Sequence, residues 1–189
     1  MCIRDRVSAT DVRMAAKEQV ESLGGKFVMV DDDQAEDAET STGYAKEMSD
    51  DFKLKQAKLI SDTLASQDIA ICTALIPGKK APRLISKEQV NSMKPGSVII
   101  DLAAESGGNC ECSKPGETIE ENGVIVVGAK NITSTISQDA SSLFSKNILN
   151  FVNILINTET KNLDIDWEDE IIKGILVTKD KKIMNEEFV

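Results

Sequence analysis

The chain has 189 residues, 41% of them hydrophobic and 29% charged, an ordinary balance for a globular domain with a sizeable core. Acidic residues outnumber basic ones 32 to 22, and the net charge of −10 argues against a nucleic-acid or anionic-membrane surface, since both are built on basic patches. No apolar run approaches the roughly 18 to 20 residues that span a bilayer, so no membrane span is expected within it.

Residues 1–6, Met-Cys-Ile-Arg-Asp-Arg, carry neither the apolar core of a signal peptide nor any periodic pattern, and read as a non-native leader. Residues 7–10 then predict a short strand ending at Asp11, and residues 12–23 a helix stopped by Gly24-Gly25. Residues 26–30 form the next expected strand. Residues 31–50 are rich in Asp and Glu with almost no large apolar side chain, which predicts an exposed excursion. Apolar residues at Phe52, Leu54, Ala57, Leu59, Ile60 and Leu64 follow a helical period, and residues 68–72 are an apolar strand.

That strand runs into Thr73-Ala-Leu-Ile-Pro-Gly-Lys-Lys-Ala-Pro82, where two prolines and a glycine prevent regular structure. Backbone groups therefore stay available at the carboxyl end of a strand, the edge where open α/β sheets bind ligands. Ser86 with Gln89 three residues on forms a capping box that opens a helix over 86–93, and Lys94-Pro95-Gly96 turns the chain. Residues 97–102 are a near-continuous apolar strand of the kind buried on both faces of a parallel sheet, and Ala-Glu-Ser-Gly-Gly-Asn-Cys110 is a second irregular strand exit. Residues 124–127 read as the last strand of the set, and the alternation of strand and helix predicts a doubly wound parallel sheet. Beyond Gly128 a long helix over 137–156, a polar stretch over 157–162 and a β-hairpin over 175–183 around Lys179-Asp180 are expected.

Four cysteines, Cys2, Cys72, Cys110 and Cys112, give no zinc pattern: Cys110 and Cys112 are separated by one residue and the chain has no histidine. No metal site is expected and a reducing compartment is the default. Cys72, inside a strand, belongs to the core, and Cys110 and Cys112 read as plain loop residues.

A dinucleotide fold opens with a strand and a Gly-rich turn that hold the pyrophosphate, yet no G-x-G-x-x-G occurs here, which places the start of the chain at the second strand of such a fold. Asp11, at the end of a strand, stands where a Rossmann fold places a carboxylate on the adenosine ribose, a choice that favours NAD over NADP; it would equally serve as a helix N-cap. Lys79, Lys80 and Arg83 make a local basic spot that could contact a phosphate or a partner subunit, or be solvated surface.

The two strand exits, taken with Gly43-Tyr-Ala-Lys-Glu-Met48, resemble the NAD(H)-binding domain of the proton-translocating NAD(P) transhydrogenase alpha subunit, of the alanine dehydrogenase/pyridine nucleotide transhydrogenase family. The resemblance runs from about Val7 to Thr178. It implies an α/β fold, an incomplete Rossmann-like doubly wound sheet lacking its first strand and Gly-rich turn. A leader over 1–6, a partial NAD-binding domain over 7–130 and a segment over 131–189 that packs toward another domain are the divisions expected.

The residues implied to bind the cofactor are Asp11, Val12 and Arg13 around the adenosine, Gly43, Tyr44 and Ala45 with Met48 on a lid, Thr73, Ala74 and Leu75 lining the pocket, and Asn131 near the nicotinamide. Pro77 and Pro82 shape the turn. No covalent catalytic residue is implied: by the resemblance, NADH held here would give hydride to NADP+ on a partner domain, coupled to proton movement through a membrane domain, and the chain alone would be inactive. The implied assembly is a homodimer, peripheral on the cytoplasmic side of the inner membrane. Alanine dehydrogenase is the alternative, but it carries an Asp-Gln-Gly-Gly motif with a catalytic aspartate where this chain has Glu105-Ser-Gly-Gly.

Overall fold

A computed structural model describes residues 6–11, 13–30, 49–76 and 78–185. The chain divides into two compact units, residues 1–130 and 131–189. In the first unit the elements are β1 (Ser8–Ala9), α1 (Met14–Ser22), β2 (Lys26–Phe27), α2 (Asp50–Leu64), β3 (Ile69–Cys72), α3 (Lys87–Ser92), β4 (Val98–Asp101), a single 3-10 turn (Ala104–Ser106), β5 (Thr118–Glu121) and β6 (Val124–Gly128).

β1 and β2 pair in parallel with each other, and a second sheet has the order β3-β4-β6-β5. Its first three strands are parallel and β5 returns antiparallel on β6.

One face of the larger sheet is the core. Ile99, Val124 and Val126 are fully buried, and in the same register Cys72 joins them at 6% exposure. α2 and α3 cover this face with Leu64, Val90 and Met93, and Ile60 packs against the cluster. The opposite face differs from the expectation of burial on both sides: Ile69 is 61% exposed, Ile71 62% and Ile125 38%. The reason is that α2 and α3 deliver apolar side chains to one face only, so the strand residues alternate between buried and open positions.

α3 starts as its sequence requires. Ser86 Oγ accepts from the Gln89 N–H at 3.3 Å and Gln89 Oε1 accepts from the Ser86 N–H at 2.8 Å, a complete capping box. The strand expected to be last has an unforeseen neighbour, β5, joined to β6 by Asn122-Gly123 with φ of 50° and 79°. Two left-handed central residues make the type I′ turn whose twist suits a two-residue hairpin.

The second unit holds a 3-10 turn (Ile132–Ile136), α4 (Ser137–Leu155), α5 (Glu170–Ile175) and the hairpin β7 (Thr178–Lys179) with β8 (Lys182–Ile183). The hairpin expected over 175–183 is therefore shorter, and Ile175 ends a helix instead. Asp169 caps that helix, accepting from the N–H groups of Ile171 and Ile172 at 2.8 and 3.1 Å. Trp167 lies under the Lys179 ammonium, 3.6 Å from the ring centroid. Among the described residues no helix is long and apolar enough to cross a membrane.

Candidate nucleotide-binding site

Two loops meet at the carboxyl ends of β3 and β4. The first, residues 73–82, leaves β3 with Thr73 exposed, Ala74 partly buried and Leu75 and Ile76 at 53% and 43% exposure. Apolar side chains beside polar backbone, on a strand exit, suit the flat apolar and polar parts of a nucleotide. The second loop follows β4 through the Ala104–Ser106 turn, in which Ala104 is buried and Glu105 exposed, and reaches Asn109 and Cys110, both fully buried.

The loops are joined through Asn109. Its Oδ1 accepts from the Ala74 N–H at 3.1 Å, and its Nδ2 donates to the Ala74 and Pro82 carbonyls at 2.9 and 2.7 Å. Its own carbonyl accepts from the N–H groups of Leu84 and Ile85. Asp101, the last residue of β4 and also fully buried, holds the second loop: Oδ1 accepts from Ala103 N–H and Oδ2 from Cys110 N–H, each at 2.9 Å.

Neither Asn109 nor Asp101 was singled out by sequence reasoning. The signal available was Gly-Gly-Asn directly before a cysteine in a strand exit, which marks a loop but not the partner of its side chain. Cys110 is also more than a loop residue: it sits in the core cluster and bridges to Ile85 in parallel. Burial, first, then the neighbouring Asp101 charge raise the Cys72 thiol to about 12, and burial raises Cys110 to about 11, so both are neutral thiols at physiological pH.

The basic spot is used internally in part. Arg83 Nη1 donates to the Cys110 carbonyl at 2.7 Å, and the Lys80 stem lies against Gly107, where an added Cβ would come within 2.7 Å of it.

Asp11 follows β1 and takes a different local role from a helix N-cap. The N-cap of α1 is Arg13, with extended backbone and no side-chain cap. Asp11 Oδ1 accepts from the Arg13 N–H at 2.9 Å, and the carboxylate takes the Arg13 guanidinium at 3.0 and 2.7 Å. This Asx-type turn sets the entry into the helix. Val12, Gly43, Tyr44, Ala45, Met48 and Pro77 lie outside the described residues. Asn131 adopts a left-handed conformation with φ of 47° ahead of the Ile132–Ile136 turn, and belongs to the second unit. Among the described residues no group of His, Cys, Asp or Glu side chains could hold a metal ion.

Residues 2–186 match the family described as alanine dehydrogenase/PNT, C-terminal domain. The chain belongs to this family. It is 55% identical over 179 residues to an NAD(P) transhydrogenase subunit alpha polypeptide of Rhodospirillum rubrum, covering 95% of this chain and 47% of that protein. The crystal structure of transhydrogenase from Sinorhizobium meliloti superposes with a TM-score of 0.69 at 44% identity, covering 89% of this chain and 42% of that one. Alanine dehydrogenase of Bacillus subtilis is similar over a shorter stretch, 38% over 87 residues, 43% of this chain and 23% of that protein. The resemblance carried by the three motifs is thus borne out, and the chain spans about half the length of the transhydrogenase subunits it matches.

Proposed function

We propose that this chain supplies part of the NAD(H)-binding domain of a proton-translocating transhydrogenase, in which NADH passes hydride to NADP+ on a partner domain. The observation that carries the reading is the 55% identity to a transhydrogenase alpha subunit across 95% of the chain. The meeting of two irregular loops at the carboxyl ends of β3 and β4 supports it, because that edge of an open α/β sheet is where ligands bind.

In this reading Asp11 accepts from the adenosine ribose, with Val12 and Arg13 beside it, and the backbone of Thr73, Ala74 and Leu75 lines the pocket. Gly43, Tyr44 and Ala45 belong to a lid that excludes water, and Asn131 lies near the nicotinamide. The nicotinamide itself supplies the hydride chemistry, and these residues bind and orient. The partners are an NADP-binding domain and a membrane domain, and the assembly is a homodimer at the cytoplasmic face of the membrane.

Glu105 separates the reading from alanine dehydrogenase. Amine oxidation needs a group placed to move protons at the reacting carbon, and Glu105 sits exposed in a 3-10 turn rather than enclosed. The test is an assay of the polypeptide encoded by the full gene, with its partner subunits. Reduction of an NAD+ analogue by NADPH, without alanine-dependent reduction of NAD+, is the expected outcome; the reverse pattern would assign the chain to alanine dehydrogenase.

A further inference from the structure

Ala74 has both of its backbone polar groups held by one side chain, and this fixes what its neighbours present. The orientation of the Asn109 amide is unambiguous, because the reverse would set its nitrogen against the Ala74 N–H and its oxygen against two carbonyls. No cis peptide is present among the described residues. In a planar trans peptide the N–H and the preceding C=O point in opposite directions. The Thr73 carbonyl must therefore point away from Asn109, and so must the Leu75 N–H, which shares a peptide with the Ala74 carbonyl.

The direction they take follows from the strand. Cys72 turns its carbonyl toward β4, accepting from Leu102 N–H at 2.9 Å, and Ala74 faces the same way toward the loop that leaves β4. Residues 73 and 75 then face the other side, along the edge of β3 that has no paired strand among the described residues. Asn109 supplies Ala74 with the acceptor and donor that a neighbouring strand would otherwise provide beyond Cys72.

Resting on the nucleotide-binding reading above, we infer that Asn109 is a positioning residue that presents the Thr73 carbonyl and the Leu75 N–H as an acceptor and donor for a planar group bearing both, an amide or aminopurine edge of the dinucleotide. Both halves of a dinucleotide offer such an edge, the adenine and the carboxamide. The pair reads that edge through backbone alone, so the side chains at 73 and 75 can vary without loss of the contact. Only the amide at 109, with one acceptor and two donors all engaged, is fixed by the geometry.

The experiment uses the full chain, labelled with nitrogen-15, alone and with millimolar AMP or nicotinamide mononucleotide. Without nucleotide, the Ala74 amide should be protected from hydrogen exchange, and Asn109→Leu should speed its exchange about tenfold, the scale of one lost hydrogen bond. The Ile99 and Val126 amides should be unchanged. Unprotected Ala74 in the parent chain, or unaltered protection in the variant, overturns the positioning role.

With nucleotide, the Leu75 amide should shift downfield with one of the two halves, which identifies the edge read, and Asn109→Leu should abolish that shift. Responses elsewhere in the chain with Leu75 unmoved would overturn the donor role while leaving the nucleotide reading intact. No response at any residue would sink the nucleotide reading and the donor role with it, while exchange at Ala74 still decides the positioning. Should Asn109→Leu fail to fold, Asn109→Asp keeps the shape and the acceptor for the Ala74 N–H but lacks both donors when ionised, so Ala74 should stay protected while the Leu75 shift is lost; a Leu75 shift that persists in this variant would overturn the positioning role.

Discussion

The Asp101 carboxylate ties the end of β4 to Cys110, accepting its N–H at 2.9 Å while its other oxygen takes the Ala103 N–H at the same distance. The loop between them passes so close that a Cβ on Gly108, itself at φ of 78°, would lie 3.0 Å from Oδ2. A fully buried carboxylate with two N–H donors is a local scaffold, and its removal strands both donors. Asp101→Ala should therefore destabilise the chain by about 3 kcal/mol, taking 1 to 3 kcal/mol for each unsatisfied buried donor. Asp101→Asn, which retains one acceptor, should cost about half as much. Urea unfolding of the three chains checks this, and a loss below about 1 kcal/mol for the alanine variant would mean that water replaces the carboxylate.

Gly128 marks the end of β6, and the turn over 113–117 lies directly on it. Gly116 N–H donates to the Gly128 carbonyl at 2.8 Å, and Gly128 N–H donates to the Glu117 carbonyl at 2.9 Å. A Cβ at this position would lie 1.9 Å from the Lys114 carbonyl oxygen, a distance no side chain can occupy without moving backbone. Gly128→Ala should cost about 3 kcal/mol or more, at the upper end of overpacking penalties. Gly174 is the contrast, since an added Cβ there meets nothing within 4 Å inside α5. Gly174→Ala should be neutral or stabilising by up to about 1 kcal/mol. Thermal melts of both variants test the pair, and equal destabilisation would contradict the packing account.

What could be read from the sequence follows the range of the interactions involved. The Ser86–Gln89 capping box and the periodic apolar residues of α2 are local, and both elements form where those signals stand. The pattern for residues 97–102 is near-continuously apolar, so it could not tell one covered face from two; that depends on where α2 and α3 pack. β5 was legible in principle, because Asn122-Gly123 is a strong hairpin signal, but its Thr-Ile-Glu-Glu sequence looks like loop when taken without its partner. The site divides the same way. Thr73 to Leu75 were placed by the chain leaving β3, whereas the residue holding them, Asn109, lies 35 positions away and has no periodic or motif signal of its own.

The thiols should behave as the core residues they are. Burial is the first cause of the raised values at Cys72, Cys110 and Cys112, and Cys112 is the least enclosed of the three. In a Cys2→Ser background at about pH 8, a thiol reagent should modify Cys112 first, and Cys72 and Cys110 only at the rate of unfolding. The same shifts predict alkaline lability. A folded thiol near 12, against an ordinary value of 9.0, contributes stability that is complete below pH 9 and is lost as pH rises from there toward 12. Urea midpoints should fall over that window, and Cys72→Ala should flatten the fall. Prompt modification of Cys72 in the folded chain would refute its burial.

Asp11 and Arg13 allow binding to be separated from folding. Their ion pair is bidentate, but the Arg13 side chain is 42% exposed and Asp11 30%, so solvent screens it and it adds under about 1 kcal/mol to stability. On the proposed reading, in which Asp11 accepts from the ribose and NADP is held on a partner domain, Asp11→Asn in the full-length polypeptide should weaken NADH binding by about 1 to 3 kcal/mol, the scale of a hydrogen bond to a charged acceptor, and should leave NADP binding unchanged. Melting of the variant chain should move by no more than a few degrees, since the Oδ1 bond to the Arg13 N–H can persist in asparagine. Calorimetric titration with NADH and, separately, NADP+ measures both affinities. Unaltered NADH affinity beside a lowered melting point would reduce Asp11 to a residue that shapes the entry to α1 through Arg13.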